Sequence, residues 1–144
     1  MIIRDLRIED MELLSKLYYQ FWNEDSDMQK MKEKFNQLQG NSSYILLCAE
    51  EDNILLGSLM GIICEELYGD CKPFLVVENM VVDAAYRKNG IGKALFAELE
   101  ERAKNRGCTQ IILVTETERE DACGFYESIG FHPTANKGYK KKIC

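Results

Sequence analysis

The chain has 144 residues and a mass of 16.6 kDa, enough for one compact domain but not for two. Apolar residues make up 46% and charged residues 29%, the composition of a globular protein, which excludes a disordered or fibrous one. A net charge of -6 argues against a general nucleic-acid binder, and no apolar run reaches the roughly 20 residues that cross a bilayer, so neither nucleic acid nor membrane is an expected partner.

Residues 1–6 form a short first strand. Residues 10–22 carry Met11, Leu14, Leu17, Tyr18 and Phe21 at helical spacing, with Asp10 as N-cap. Residues 26–38 repeat the pattern with Met28, Met31, Phe35 and Leu38, capped by Ser26. The period then changes. Residues 44–49 and 54–64 are apolar runs around Glu51-Asp52-Asn53, which predicts a hairpin whose second strand is weakened or bulged at Gly57 and Gly61. After a polar loop, residues 74–82 are nearly all apolar, as in a central strand covered on both faces.

Residues 90–106 form a strong helix with Ile91, Ala94, Leu95, Leu99 and Ala103 as its buried stripe and Gly107 as its stop. Glu98–Arg102 and Glu100–Lys104 are i,i+4 pairs on its wet side. Residues 110–115 are another apolar strand, and 121–129 a short helix ending at Gly130. Residues 131–133 and 139–143 are expected to close the sheet. The strand–helix–strand unit over 74–115 should be a right-handed parallel crossover.

The six cysteines form no C-x-x-C pair, and His132 is the single histidine, so no metal site is expected. Cys48 and Cys64 read as buried thiols, and Cys71 and Cys144 as exposed ones. Acids stand near the amino terminus where an export signal would be apolar, so a cytoplasmic protein is expected. His132, before Pro133, reads as a turn or core residue rather than a catalytic one. Charge is unevenly spread: residues 1–86 carry a net -9 and residues 87–144 a net +3.

The most informative stretch is Arg87-Lys88-Asn89-Gly90-Ile91-Gly92-Lys93-Ala94-Leu95, between a strand and a strong helix. Two glycines there permit a tight turn that exposes successive N–H groups, and the helix start adds orphan donors and a positive dipole end. Arg87, Lys88 and Lys93 add full charges, so the arrangement suits a diphosphate. A P-loop needs Ser or Thr where Ala94 stands and a glycine five residues before Gly92. A dinucleotide fingerprint needs Gly or Ala at Leu95. Both patterns fail.

What remains is R-x-x-G-x-G, and here the sequence resembles the GNAT superfamily of acetyl-CoA-dependent N-acetyltransferases. Glu78-Asn79-Met80-Val81-Val82-Asp83 upstream reinforces the likeness. So does Ala122-Cys123-Gly124-Phe125-Tyr126-Glu127-Ser128-Ile129-Gly130-Phe131, similar to the family's A-x-x-F-Y-E-x-x-G-F. The resemblance is strong over about residues 74–132. It implies an α/β (α+β) fold over residues 1–144 as a single N-acetyltransferase domain. The sheet would be mixed, mostly antiparallel and six- to seven-stranded, with a central parallel strand pair and about four helices.

By that resemblance, backbone amides of Lys88, Asn89, Gly90, Ile91, Gly92 and Lys93, with Arg87, would grip the pyrophosphate of coenzyme A. Main-chain groups of Met80, Val81 and Val82 would pair with the pantetheine arm, and an N–H near Val82 would face the developing oxyanion. Tyr126 matches the tyrosine that the family often uses to protonate the departing thiolate, and the plain alternative is half of a core Phe-Tyr pair on the short helix. Glu78 interrupts an apolar strand; burial would raise its pKa toward that of a base that takes the amine proton through water, and the plain alternative is a structural carboxylate. Arg119 stands where many members carry an Asn that contacts the cofactor arm.

The acceptor pocket of the family is built from the first two helices and the loop before the central strand. Those segments hold Tyr18, Trp22 and Tyr68 among the acids Glu24, Asp25, Asp27, Glu65, Glu66 and Asp70, which suits a small cationic amine. The expected reaction is direct attack of a primary amine on acetyl-CoA, without metal, in a protein that could pair as a homodimer. A non-catalytic acyl-CoA-binding sensor or assembly module is the alternative of another class, and a nucleotide-phosphate binder is disfavoured by Ala94 and Leu95.

Overall fold

In the computed structural model, which describes residues 1–144, the chain divides into two compact units, Met1–Ile112 and Leu113–Cys144. The first begins with strand β1 (Ile2–Asp5) and a 3-10 turn over Ile8–Asp10. Helix α1 (Met11–Trp22) follows with the expected register: Met11, Leu14 and Leu17 are buried. Asp10 precedes α1 but does not cap it. Its carboxylate instead takes two hydrogen bonds from the Arg4 guanidinium (2.7 and 2.9 Å) and one from the Arg7 N–H (2.7 Å). Helix α2 (Met28–Gln39) is capped by Asp27, one residue beyond the expected Ser26, whose Oδ1 accepts from the Lys30 N–H at 3.0 Å.

The hairpin forms as expected. Asp52 and Asn53 take left-handed dihedrals (φ 50° and 63°) and join β2 (Tyr44–Glu51) to β3 (Ile54–Cys64), a turn that suits the strand twist. An extra residue, Leu56, bulges on β3 next to Gly57. The neighbours Leu47 and Cys48 on β2 are both fully buried, so this strand is covered on both faces. Leu14, Leu17 and Phe35 from α1 and α2 pack with Cys48 and Leu55 in one core cluster. On the other face lies helix α3 (Ile91–Asn105), with Ile91, Leu95, Phe96, Leu99 and Ala103 buried. It approaches so closely that a Cβ on Gly57 would lie 3.2 Å from Ile91, and the same Cβ would lie 2.8 Å from the Val81 carbonyl oxygen of the neighbouring strand.

Strand β4 (Phe74–Val82) has the predicted bounds but not the predicted burial. Leu75, Val77 and Val81 are buried, whereas Glu78 is exposed and the rest are half-buried. The both-face coverage expected of β4 falls on β2 and β3. The reason is position: β4 lies next to the sheet's last strand, β5 (Ile111–Ile112). The strand order is β1-β2-β3-β4-β5, antiparallel throughout except for the parallel β4–β5 pair, and α3 makes the crossover between those two.

The sheet has five strands, not six to seven, and its parallel pair stands at the edge, not the centre. The strand predicted over 110–115 shrinks to two residues. Residues 131–133 and 139–143, expected to close the sheet, form no strand. His132 Nδ1 accepts the N–H groups of Thr134 and Ala135 (3.2 and 3.0 Å), which folds this segment into a turn and removes donors a ladder would need. Tyr139 and Ile143 flank three lysines and stay 86% and 91% exposed, so they offer no apolar face to hold a strand. The carboxy-terminal unit's one helix is α4 (Glu120–Ser128). With α1, α2 and α3 it makes the expected four. No helix is long and apolar enough to cross a membrane.

Candidate functional site

The cradle is built where β4 ends. Pairing with β3 slips by one residue, so that Asn79 and Met80 together oppose Leu59, and Asn79 is left-handed (φ 53°). Asn is among the few residue types that tolerate this conformation, and an Asn inside an apolar run was the available sign of the bulge. On the β5 side, β4 is paired only at Leu75 and Val76. Beyond Val76 that edge has no partner strand within the amino-terminal unit. Asp83 donates its N–H to the Leu56 carbonyl on the β3 side (2.8 Å), so the main chain of the adjacent Val82 faces the open side.

The turn that follows is fastened by local bonds. Asp83 Oδ1 accepts from the Ala85 N–H at 2.9 Å, and Asn89 Nδ2 donates to the Tyr86 carbonyl at 3.0 Å. Lys88 and Gly90 are both left-handed (φ 65° and 77°). Glycine accepts that conformation freely; for lysine it costs on the order of 1 kcal/mol. Gly90 is the residue before α3 and has no side chain to cap it.

The consequence for hydrogen bonding is direct. The first intrahelical bond runs from the Ala94 N–H to the Gly90 carbonyl at 3.0 Å, and the N–H groups of residues 88–93 have no acceptor within the chain. Six consecutive unpaired donors at the positive end of a 15-residue helix, beside the exposed Lys88 and Lys93, form an anion cradle. Glycine at the helix start leaves the approach open: a Cβ at Gly90 would meet nothing within 4 Å. The twin phosphates of coenzyme A fit this donor set.

Arg87 points elsewhere. Its Nε donates to the Val82 carbonyl at 3.3 Å, and its guanidinium lies 4.8 Å from the Phe21 ring centroid on α1. Of the predicted cofactor residues in the amino-terminal unit, the structure therefore brings Val82 and Arg87 into contact and sets the amides of 88–93 in one run. Met80 and Val81 stand on the bulged end of β4. Glu78 lies one residue before the bulge and is exposed, not buried as expected.

Tyr18 and Trp22 meet edge to face at 5.4 Å on α1, and burial pushes the Tyr18 phenol up to about 12. Tyr68 is on the loop after β3, 77% exposed. Arg119 and Tyr126 belong to the carboxy-terminal unit. Arg119 precedes α4 and accepts the Cys123 N–H on its carbonyl. Tyr126 is half-buried, its ring 5.4 Å from Phe125 and 5.9 Å from Phe131.

Residues 8–131 match the model of the acetyltransferase (GNAT) family, and the chain belongs to that family. It is 42% identical over 55 residues to a glucosamine 6-phosphate N-acetyltransferase of Trypanosoma brucei brucei, a match covering 38% of this chain and 35% of that one. It is 23% identical over 148 residues to an aminoglycoside N(6')-acetyltransferase type 1 of Salmonella enteritidis, covering all of both chains. The fold matches that of AAC(6')-Iy, solved in complex with the bisubstrate analog CoA-S-monomethyl-acetylneamine, with a TM-score of 0.82 at 21% identity, over 99% of this chain and 98% of that one. The matches to the first three curated relatives span only 32% to 56% of those proteins' length.

Proposed function

We propose that residues 1–144 act as one N-acetyltransferase domain that moves an acetyl group from acetyl-CoA to a primary amine, a small cationic one in particular. The observation that carries this reading is the run of unpaired amides over residues 88–93, at a glycine-led helix start in a chain of the acetyltransferase family. The names of the relatives support it, since glucosamine 6-phosphate and aminoglycosides both carry amino groups. The coenzyme portion of the AAC(6')-Iy ligand supports the cofactor.

Bound acetyl-CoA supplies an activated acetyl thioester. The amides of 88–93, with Lys88 and Lys93, hold its pyrophosphate. The open edge of β4 at Met80, Val81 and Val82 holds its arm, and an N–H near Val82 donates to the carbonyl oxygen as charge develops on it. Glu78, solvated at the edge of the bulge, takes the proton of the attacking amine through water, and Tyr126 gives a proton to the departing sulfur. Arg119 is assigned to the cofactor, where a phosphate is the group its charge suits. Tyr18, Trp22 and Tyr68 receive the amine among the acids of the first half. Attack is direct, with no covalent relay through a cysteine.

Calorimetry with coenzyme A, followed by thiol release from acetyl-CoA with polyamines, aminoglycosides, lysine peptides and neutral or acidic amines, tests this. Heat of binding with turnover of the cationic amines is expected. Binding without turnover of any amine would make the chain an acyl-CoA-binding module, and turnover of acidic amines alone would refute the cationic acceptor. Tyr126→Phe should lower kcat by about 100-fold while coenzyme binding persists; an unchanged kcat removes the acid role.

A further inference from the structure

Two contacts tie the end of α1 to the crossing between β4 and α3, and neither is needed to form the amide cradle. Gln20 Oε1 accepts the Ala84 N–H at 3.0 Å, across 64 residues of sequence. The Arg87 guanidinium sits over Phe21 while its Nε holds the Val82 carbonyl. Gln20 and Phe21 are adjacent on α1, and Ala84 and Arg87 bracket the 3-10 turn over Ala84–Tyr86 that leads into the cradle. Phe21 in turn packs on Trp22 at 5.9 Å, and Trp22 on Tyr18 at 5.4 Å. A continuous path of contacts thus runs from the segment carrying the cradle to the aromatic cluster on α1.

We infer that Gln20 and Phe21 are positioning residues that couple occupation of the amide cradle to the Tyr18–Trp22 pair, so that coenzyme binding sets the acceptor-side rings. The inference rests on the coenzyme reading given above. Its physical basis is that Val82 and Arg87 belong both to the binding segment and to the tie. A phosphate drawn to residues 88–93 pulls on the Arg87 side chain by charge, and a pantetheine arm beside Val82 competes for the carbonyl that Arg87 Nε holds. Either event shifts a cation that rests on Phe21, the neighbour of Trp22. Such coupling is reciprocal, so an amine held by the rings would tighten coenzyme binding by the same factor.

Trp22 is the sole tryptophan of the chain, which makes the path observable without knowing the acceptor. Coenzyme A is titrated into the full chain while heat and Trp22 emission are recorded in parallel. In the unaltered protein the emission should change with the midpoint of the heat. Gln20→Leu and Phe21→Leu should keep the heat and lose most of the emission change, and Gln20→Glu, which retains an acceptor for the Ala84 N–H, should restore it. A full emission change in both Leu variants, or none in the unaltered protein despite heat, overturns the coupling and leaves the coenzyme reading standing. Absence of heat overturns that reading, and the inference with it. Gln20 is exposed, so its variants fold even if the Phe21 variant does not.

Discussion

Asp10 and Arg4 show how much one residue can organise. Burial alone would push the Asp10 carboxyl up, but the hydrogen bonds from Arg4 and from the Arg7 N–H outweigh it and hold the group below the usual carboxylate range. Arg4 also holds Glu50, so β1, the turn before α1 and β2 meet at one guanidinium. A carboxyl with a depressed native pKa contributes stability in full above its unfolded value near ~3.9, and loses it as pH falls through the native value. Asp10→Asn should therefore cost about 2 kcal/mol at neutral pH, with the gap closing below about pH 4. Urea midpoints across pH check this, and a gap that persists in acid contradicts it. The thiols divide in the same way by environment. Burial first of all pushes the Cys48 thiol up to about 12, whereas Cys71 and Cys144 are exposed. A thiol reagent should label the last two quickly in the native protein and Cys48 only after unfolding.

Among the elements, the two glycines of β3 make room for α3 and for the neighbouring strand β4. A methyl group at Gly57 would strike the Val81 carbonyl at 2.8 Å, and backbone cannot yield. One at Gly61 would meet the side-chain tips of Leu99 at 2.7 Å and Leu75 at 3.3 Å, which can turn aside. Gly57→Ala should cost about 1–3 kcal/mol and Gly61→Ala less, read by chemical denaturation; equal losses would refute the distinction. These glycines read in the sequence only as a weak strand or a bulge, because a pattern of residue types does not say what packs above it.

The helices were legible within a residue or two, since each has a stripe of apolar residues and a clear end such as Gly107 (φ 77°). Of the two surface pairs expected on α3, Glu98–Arg102 forms at 2.8 Å, with Arg102 also reaching Asp5 at 2.5 Å. Glu100–Lys104 does not form, as befits solvated side chains that gain little by meeting. The cradle was legible because glycine spacing dictates backbone geometry. The left-handed Lys88 was not, because it lies outside any hydrophobic period, and the slip at Asn79 was signalled only by a polar residue inside an apolar run. The missing strand over 139–143 was misread from Tyr139 and Ile143, which the structure leaves in solvent.

At the scale of the whole chain, the charge asymmetry bears on the acceptor. Residues 1–86 carry a net -9, which attracts cations over a range that salt shortens. KM for a polyamine should rise as ionic strength goes from about 0.01 to about 0.15 M, while KM for a neutral amine stays level. Steady-state kinetics at several salt concentrations decide it, and equal responses would assign the negative field to solubility alone.

The strand order also has a kinetic consequence. Strands β2, β3 and β4 succeed one another with no helix between them, whereas the β1–β2 pair must wait for α1 and α2 and the β4–β5 pair for α3. Loop closure favours the nearer partners, so the β2–β3 hairpin is placed to nucleate the chain's collapse and the glycine-led bend to settle after the rate-limiting barrier. Lesions in the hairpin should then slow refolding, whereas lesions at Lys88 or Gly90 should chiefly hasten unfolding, leaving that bend the last to be secured and the first to be released.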